Sequence, residues 1–197
     1  TISYPQYSSQ LLKSTAADAA MLLGKAMPGN LFTASAYSAM PQTGIIFIYD
    51  STITNNQACK VESDGINFIK FSGAEDNGLC FGFYQYLQSL GFRFYQPGSI
   101  WEIIPSLSSV YKKTDSIFTS AFKYTSWFIS GSHIRWVMDM NNDYGWDTYA
   151  GINGHNWALY QRRNGMTGEY RFSGHRGDIM TGAYLTTLQN NPCYVAC

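Results

Sequence analysis

Leu79, Phe83, Tyr86, Leu87 and Leu90 recur at the spacing of one helix face. The repeat predicts a helix over 77–90. Asp76 or Asn77 would supply the N-cap oxygen, and Gly91 stands where a left-handed residue closes a helix without a steric penalty. A second repeat begins at Ser8 or Ser9 and carries Leu12, Ala16, Ala19, Ala20 and Leu23 along one side, until Pro28-Gly29-Asn30 stops it. Its small alanines suit close packing on a sheet.

Elsewhere the pattern is that of strands. Residues 2–4 read as an edge strand, and 31–37 and 44–49 as further strands. Ile45-Ile46-Phe47-Ile48 is apolar on both faces, as a central strand requires. Residues 50–57 form a polar loop; 59–62 and 66–71 then make a hairpin about Ser63-Asp64-Gly65. After the second helix, Phe92, Phe94 and Tyr95 read as a short aromatic strand turned by Pro97-Gly98, which completes a βαβ-like unit. Residues 101–105 and 110–112 are short strands or extended linker. The sum is an α+β domain, a small sheet with two helices on one face, ending around Thr114-Asp115-Ser116. Two domains follow from this, 1–115 and 116–197, the second opening on an aromatic, β-branched strand over 121–129.

Composition narrows the functional classes. Aromatic residues make up 16% of the chain and charged ones only 13%, about half the usual share. Net charge is zero and no basic run occurs, which argues against nucleic acid as a partner. No apolar run reaches the length of a membrane span. Abundant Tyr, Trp, Asn and Gly with few charges suits a sugar-handling surface, and an ordinary aromatic core accounts for the same numbers. Cys59, Cys80, Cys193 and Cys197 allow three complete pairings. Their even count leans toward an oxidising compartment, with free thiols as the other reading. A start at Thr1 reads as a processed precursor or a trimmed fragment.

Gly73, the helix with Gly78, Gly82, Tyr84 and Leu87, the run Leu90-Gly91-Phe92-Arg93-Phe94-Tyr95, and Pro97-Gly98 together resemble the N-terminal α/β domain of certain bacterial glycoside hydrolases. Nearest are the α-glucuronidase-like proteins; family 20 hexosaminidases carry a similar domain. The resemblance implies that a (β/α)8 barrel follows, so the strand over 121–129 would be its first. Relatives carry Pro-x-Phe-x-x-Arg there, where this chain has Ser120 and Thr125 in place of the proline and arginine. His155-Asn156-Trp157 with Arg162-Arg163-Asn164-Gly165 resembles the tryptophan–arginine–asparagine segment of those relatives. Ser173-Gly174-His175 resembles the glycine–histidine after it, and Pro192-Cys193-Tyr194 a motif with glutamate at the position of Cys193. A barrel needs about 250 residues, and about 80 remain after Asp115. An incomplete barrel is therefore expected, with its catalytic acids beyond Cys197.

Residues 133–175 hold three of the five tryptophans and all three histidines. Barrel enzymes gather their sites on such loops. Trp157 can stack on a pyranose or fill the core. Arg162 and Arg163 can present a planar fork to a uronate carboxylate, or meet solvent or Glu169. Asn164, His155 and His175 can bond sugar hydroxyls, with His133 and Arg135 nearby. Glycoside cleavage needs two carboxyl groups across the bond, and none of Asp139, Asp143, Asp147, Glu169 or Asp178 ends an obvious strand. No catalytic residue is therefore assigned. Asp139-x-Asn141-x-Asp143 with Gly145 and Asp147 imitates a calcium loop, but position twelve is Ala150, and a polar turn reads better. Neither metal nor cofactor is expected, and without a Gly-x-Ser-x-Gly elbow an esterase has no support.

The expected substrate-binding surface is thus Trp157, Arg162, Arg163, Asn164 and His175 with His133 and Arg135. The expected function is the front of a glycoside hydrolase acting on uronic-acid- or acetamido-sugar-containing polysaccharide, periplasmic, extracellular or on the cell surface. The alternative is a non-catalytic carbohydrate-binding or surface-assembly protein. The expected partners are carbohydrate and the remainder of the barrel.

Overall fold

Both helical repeats become helices in the structure, a computed structural model that describes residues 1–120 and 154–166. α1 spans Gln10–Ala26. Ser9 precedes it in extended backbone, and its hydroxyl accepts from the Leu11 N–H at 3.1 Å. α2 spans Asp76–Ser89, and Gly91 follows at φ 106°, the left-handed turn its position foretold. Its start differs from expectation. Glu75 holds the N-cap position without a side-chain cap, its carboxylate accepting from Asn56 Nδ2 instead, and the Asp76 carboxylate is taken by the hydroxyls of Ser9 and Tyr49.

The strands are β1 (Ile2–Pro5), β2 (Ala34–Tyr37), β3 (Gly44–Tyr49), β4 (Ala58–Ser63), β5 (Phe68–Gly73), β6 (Arg93–Phe94), β7 (Glu102–Ile103) and β8 (Thr114–Thr119). Six of them form one mixed sheet in the order β2-β1-β3-β5-β4-β8. β1, β2, β3 and β5 run parallel, whereas β4 is antiparallel to both β5 and β8. With α1 and α2 packed against the sheet and against each other, the class is α+β, as the sequence implies.

Three strand placements depart from the sequence reading. β1 is not an edge: the α1 crossover returns β2 to its outer side, and β3 takes the inner one. β6 does not rejoin the sheet after α2 but pairs with β7 in a separate two-stranded ribbon. The remaining place in the sheet goes to β8, whose register with β4 runs from Ala58↔Thr119 to Ser63↔Thr114. A domain boundary between residues 115 and 116 would therefore fall inside a hydrogen-bonded strand.

β3 is central, with Ile45, Ile46 and Phe47 at 2% exposure or less. The core centres on Phe47, Phe71 and Phe83, whose ring centroids lie 5.5–5.7 Å apart pairwise. Tyr86 stands edge-on to Phe71 at 5.7 Å. Gly82 lets α2 settle onto β4, since a Cβ there would overlap Cys59. Among the described residues no helix is long and apolar enough to cross a membrane.

The β4–β5 hairpin is built on one carboxylate. Asp64 Oδ1 accepts from the backbone N–H groups of Ile66, Asn67 and Phe68 at 2.9, 2.8 and 3.2 Å, and Gly65 supplies φ 85°. Those bonds hold the Asp64 carboxyl well below the ordinary aspartate range. A depressed folded-state value means that its stabilisation is complete above the unfolded pKa of about 3.9 and is lost as pH falls. Asp64→Asn keeps an acceptor but cannot titrate. Its stability is expected to fall less steeply below pH 4 than the parent's in acid titrations followed by circular dichroism. Superimposable acid limbs would remove Asp64 from the acid response.

Candidate functional site

α3 spans Gly154–Arg163 and ends in the two arginines singled out in the sequence. Arg163 turns inward, its side chain 3% exposed. It meets Asp18, the one charged residue among the buried positions of α1, beside Ala16, Ala19 and Leu22. Arg163 Nε and Nη2 donate to Asp18 Oδ2 and Oδ1 at 2.9 and 2.7 Å, the bidentate fork that guanidinium geometry favours. The Tyr84 hydroxyl donates to Asp18 Oδ2 at 2.7 Å. Nη1 donates to Glu102 Oε1 at 2.5 Å, and the guanidinium carbon lies 4.9 Å from the Phe94 ring centroid.

The charges balance. Asp18 and Glu102 are matched by Arg163 and by Lys25, whose Nζ lies 3.9 Å from Glu102 Oε2. Burial works against the Arg163 charge, but the bonds and charge of Asp18, followed by those of Glu102, outweigh it and hold the proton more tightly than in free arginine. Burial and then the Asp18 charge push the Tyr84 phenol well above its usual range, so it stays a neutral donor. A second set of bonds seats the end of α3. Asn164 Nδ2 donates to the carbonyls of Phe94 and Tyr160 at 3.1 and 2.9 Å, and Gln88 Nε2 donates to the Arg163 carbonyl at 3.3 Å. The assembly clamps α3 onto α1, α2 and the ribbon.

Of the expected saccharide-binding residues, the structure thus places Arg163 and Asn164 in protein contacts, and the carboxylates that Arg163 meets are the protein's own. Arg162 is half-buried, and its charge opposes the rise in the Cys80 and Tyr84 values. Trp157 lies on α3. His133, Arg135 and His175 lie outside the described residues, as do the five acids weighed above, the calcium-like run and Cys193 and Cys197. Asp18, Tyr84 and Glu102 were missed. Asp18 lies off the apolar face read from the sequence, so helical spacing gave no signal for its burial.

A second junction lies where the parallel strands end. β3 and β5 finish at Tyr49 and Gly73, near the N-termini of both helices, as ligand-binding edges of parallel sheets do. A cleft of about 400 Å³ there is lined by Leu11, Tyr49, Ala74, Glu75, Asp76 and Asn77. Its acids are committed to the protein: Asp76 to Ser9 and Tyr49, and Glu75 to Asn56 Nδ2 at 2.6 Å. Burial and then the Asp76 bond push the Tyr49 phenol up. The Ser9–Asp76–Tyr49 bonds tie the two helix starts together.

Cys59 and Cys80 are buried free thiols, so neither joins the disulfide that the even cysteine count allowed. Burial pushes Cys80 up to about 12, and burial with the neighbouring Cys80 raises Cys59. Burial therefore disfavours the thiolate at both positions. No protein-family model and no curated protein matches the chain.

Proposed function

We propose that the chain is the N-terminal portion of a glycoside hydrolase acting on uronic-acid- or acetamido-sugar-containing polysaccharide. In this reading the sheet and its helices are an accessory platform, and the segment beyond residue 120 begins a barrel. The observation that carries it is the Arg163 clamp. A helix from the later segment is fixed to α1, α2 and the ribbon of an α+β domain by a network of buried Arg163, Asp18 and Tyr84 with Glu102, as an accessory domain that orients its neighbour requires. The mixed six-stranded sheet with two helices against it supports the likeness to hexosaminidase and α-glucuronidase N-terminal domains. Since Arg163 is spent on Asp18 and Glu102, recognition of an acidic sugar falls to Arg162 on the same helix.

Titration calorimetry with a uronic-acid oligosaccharide and a neutral one of equal length tests the reading. The 197-residue chain is expected to bind the acidic sugar and to hydrolyse neither. Arg162→Ala should weaken the acidic ligand by roughly 1.5–3 kcal/mol and spare the neutral one. Absence of binding to both sugars would overturn the carbohydrate assignment.

A further inference from the structure

We propose that the outward face of the β6–β7 ribbon is a saccharide platform, in which Tyr95 and Trp101 take the face of a pyranose ring and Arg93 favours a sugar bearing a carboxylate. This rests on the carbohydrate reading above and names a separate place for the ligand. The ribbon has two unlike faces. Arg93 pairs with Ile103 and Phe94 with Glu102, and the Tyr95 N–H donates to the Trp101 carbonyl at 3.2 Å, extending the pairing by one residue. Side chains alternate along such a ribbon. Phe94 and the Glu102 side chain turn inward, 5% and 10% exposed, and meet Arg163. Tyr95, Trp101 and Ile103 turn outward, 60%, 41% and 50% exposed, with Ile100 beside them at 76%.

Tyr95, Trp101 and Ile103 share one face of the ribbon, with exposed Ile100 next in the chain, and apolar side chains gathered on one exposed face are the kind of surface that binding sites use. A protein partner is a poor fit, because a stable interface needs roughly 20–30 residues a side and the ribbon with its turn covers only 93–103. A sugar ring matches the scale. Its polarised C–H groups lie against the electron-rich ring faces, while its hydroxyls remain in water.

Charge then selects among sugars. Arg93, on the outward face with Ile103, has Nη1 donating to the carbonyls of Gln88 and Phe92, both at 2.6 Å, which fixes its guanidinium beside the end of α2. Among the described residues it has no carboxylate within ion-pair distance. A ligand carboxylate would supply that partner with charge-assisted bonds. Behind the ribbon, the clamp holds the platform in place before any ligand arrives, which lowers the ordering cost of binding.

The probes are a uronic-acid tetrasaccharide and its carboxyl-reduced neutral counterpart, titrated into the 197-residue chain. Trp101→Ala and Tyr95→Ala are expected to weaken both probes about tenfold, and Trp101→Phe to restore most of the loss. Arg93→Gln should weaken the acidic probe about tenfold and leave the neutral one within about twofold. Melting temperatures close to the parent's would show that the exposed-ring variants fold. Parental binding that none of these substitutions alters would overturn the platform and leave the carbohydrate reading standing. Failure of the parent chain to bind either probe would overturn both. A dimer that Trp101→Ala dissociates in sedimentation would assign the face to self-association and overturn the proposal as well.

Discussion

Arg163→Ala is expected to destabilise the protein by about 3–5 kcal/mol, because it strips Asp18 and Glu102 of their shared cation while both stay buried. The loss would appear in urea unfolding as a lower midpoint. Arg163→Lys should recover little of it, since an ammonium cannot span both Asp18 oxygens and Glu102 as the planar fork does. Replacing the charged set together, with Asp18→Leu, Arg163→Met and Glu102→Gln, should cost far less than the single change, because no buried charge is then stranded. A single-variant loss below about 1 kcal/mol would mean that the clamp does not form.

The second large effect is expected at Phe83. Its ring is 1% exposed and stands edge-on to Phe47, Phe71 and Tyr84 at 5.7, 5.5 and 5.1 Å. Phe83→Ala removes the side chain that joins α2 to the central strands, and walls of aromatic rings on a sheet cannot collapse into the space. The expected cost is roughly 3–5 kcal/mol in denaturant melts. An effect well under about 1 kcal/mol would place α2 away from the core.

These two sites also show which parts of the fold can be read from sequence. Phe83 was legible because helical periodicity is local: of the five apolar residues that recur within twelve positions, Leu79, Phe83, Tyr86 and Leu87 lie on the buried side of α2 and Leu90 caps it. The same holds for α1, for the run at 44–49 and for the hairpin at Asp64. Strand order was not legible. Nothing within residues 2–5 says that β2 and β3 will flank them, and nothing in the aromatic run after Gly91 says that it will pair with Glu102–Ile103 rather than rejoin the sheet. Such choices depend on partners distant in the chain. The N-cap of α2 went astray for the same reason: Asp76 has the right chemistry, but Ser9 and Tyr49 reach it first.

The arginine pair is the instructive case for the site. Two adjacent guanidinium groups suggest a fork for an acidic ligand, and composition cannot tell which faces outward. Asp18 decides the matter: it lies off the apolar face that the sequence shows for α1, yet is buried in the structure. What could not be read was that the two residues meet.

That meeting has a consequence for the order of assembly. Asp18 lies 66 positions from Tyr84 and 145 from Arg163. On a chain synthesised amino end first, both helices and β1 to β5 emerge while Arg163 is still to be made. At roughly 5–20 residues per second, the stretch of about 80 residues from Tyr84 to Arg163 takes on the order of 4–16 s. During that interval Asp18 has a hydroxyl donor but no counter-charge, and an ionised carboxylate so placed resists desolvation. The nascent helix pair therefore stays partly hydrated at Asp18, and the arrival of α3 locks it. A helix made about 145 residues after Asp18 supplies the charge that lets the first-made helix close.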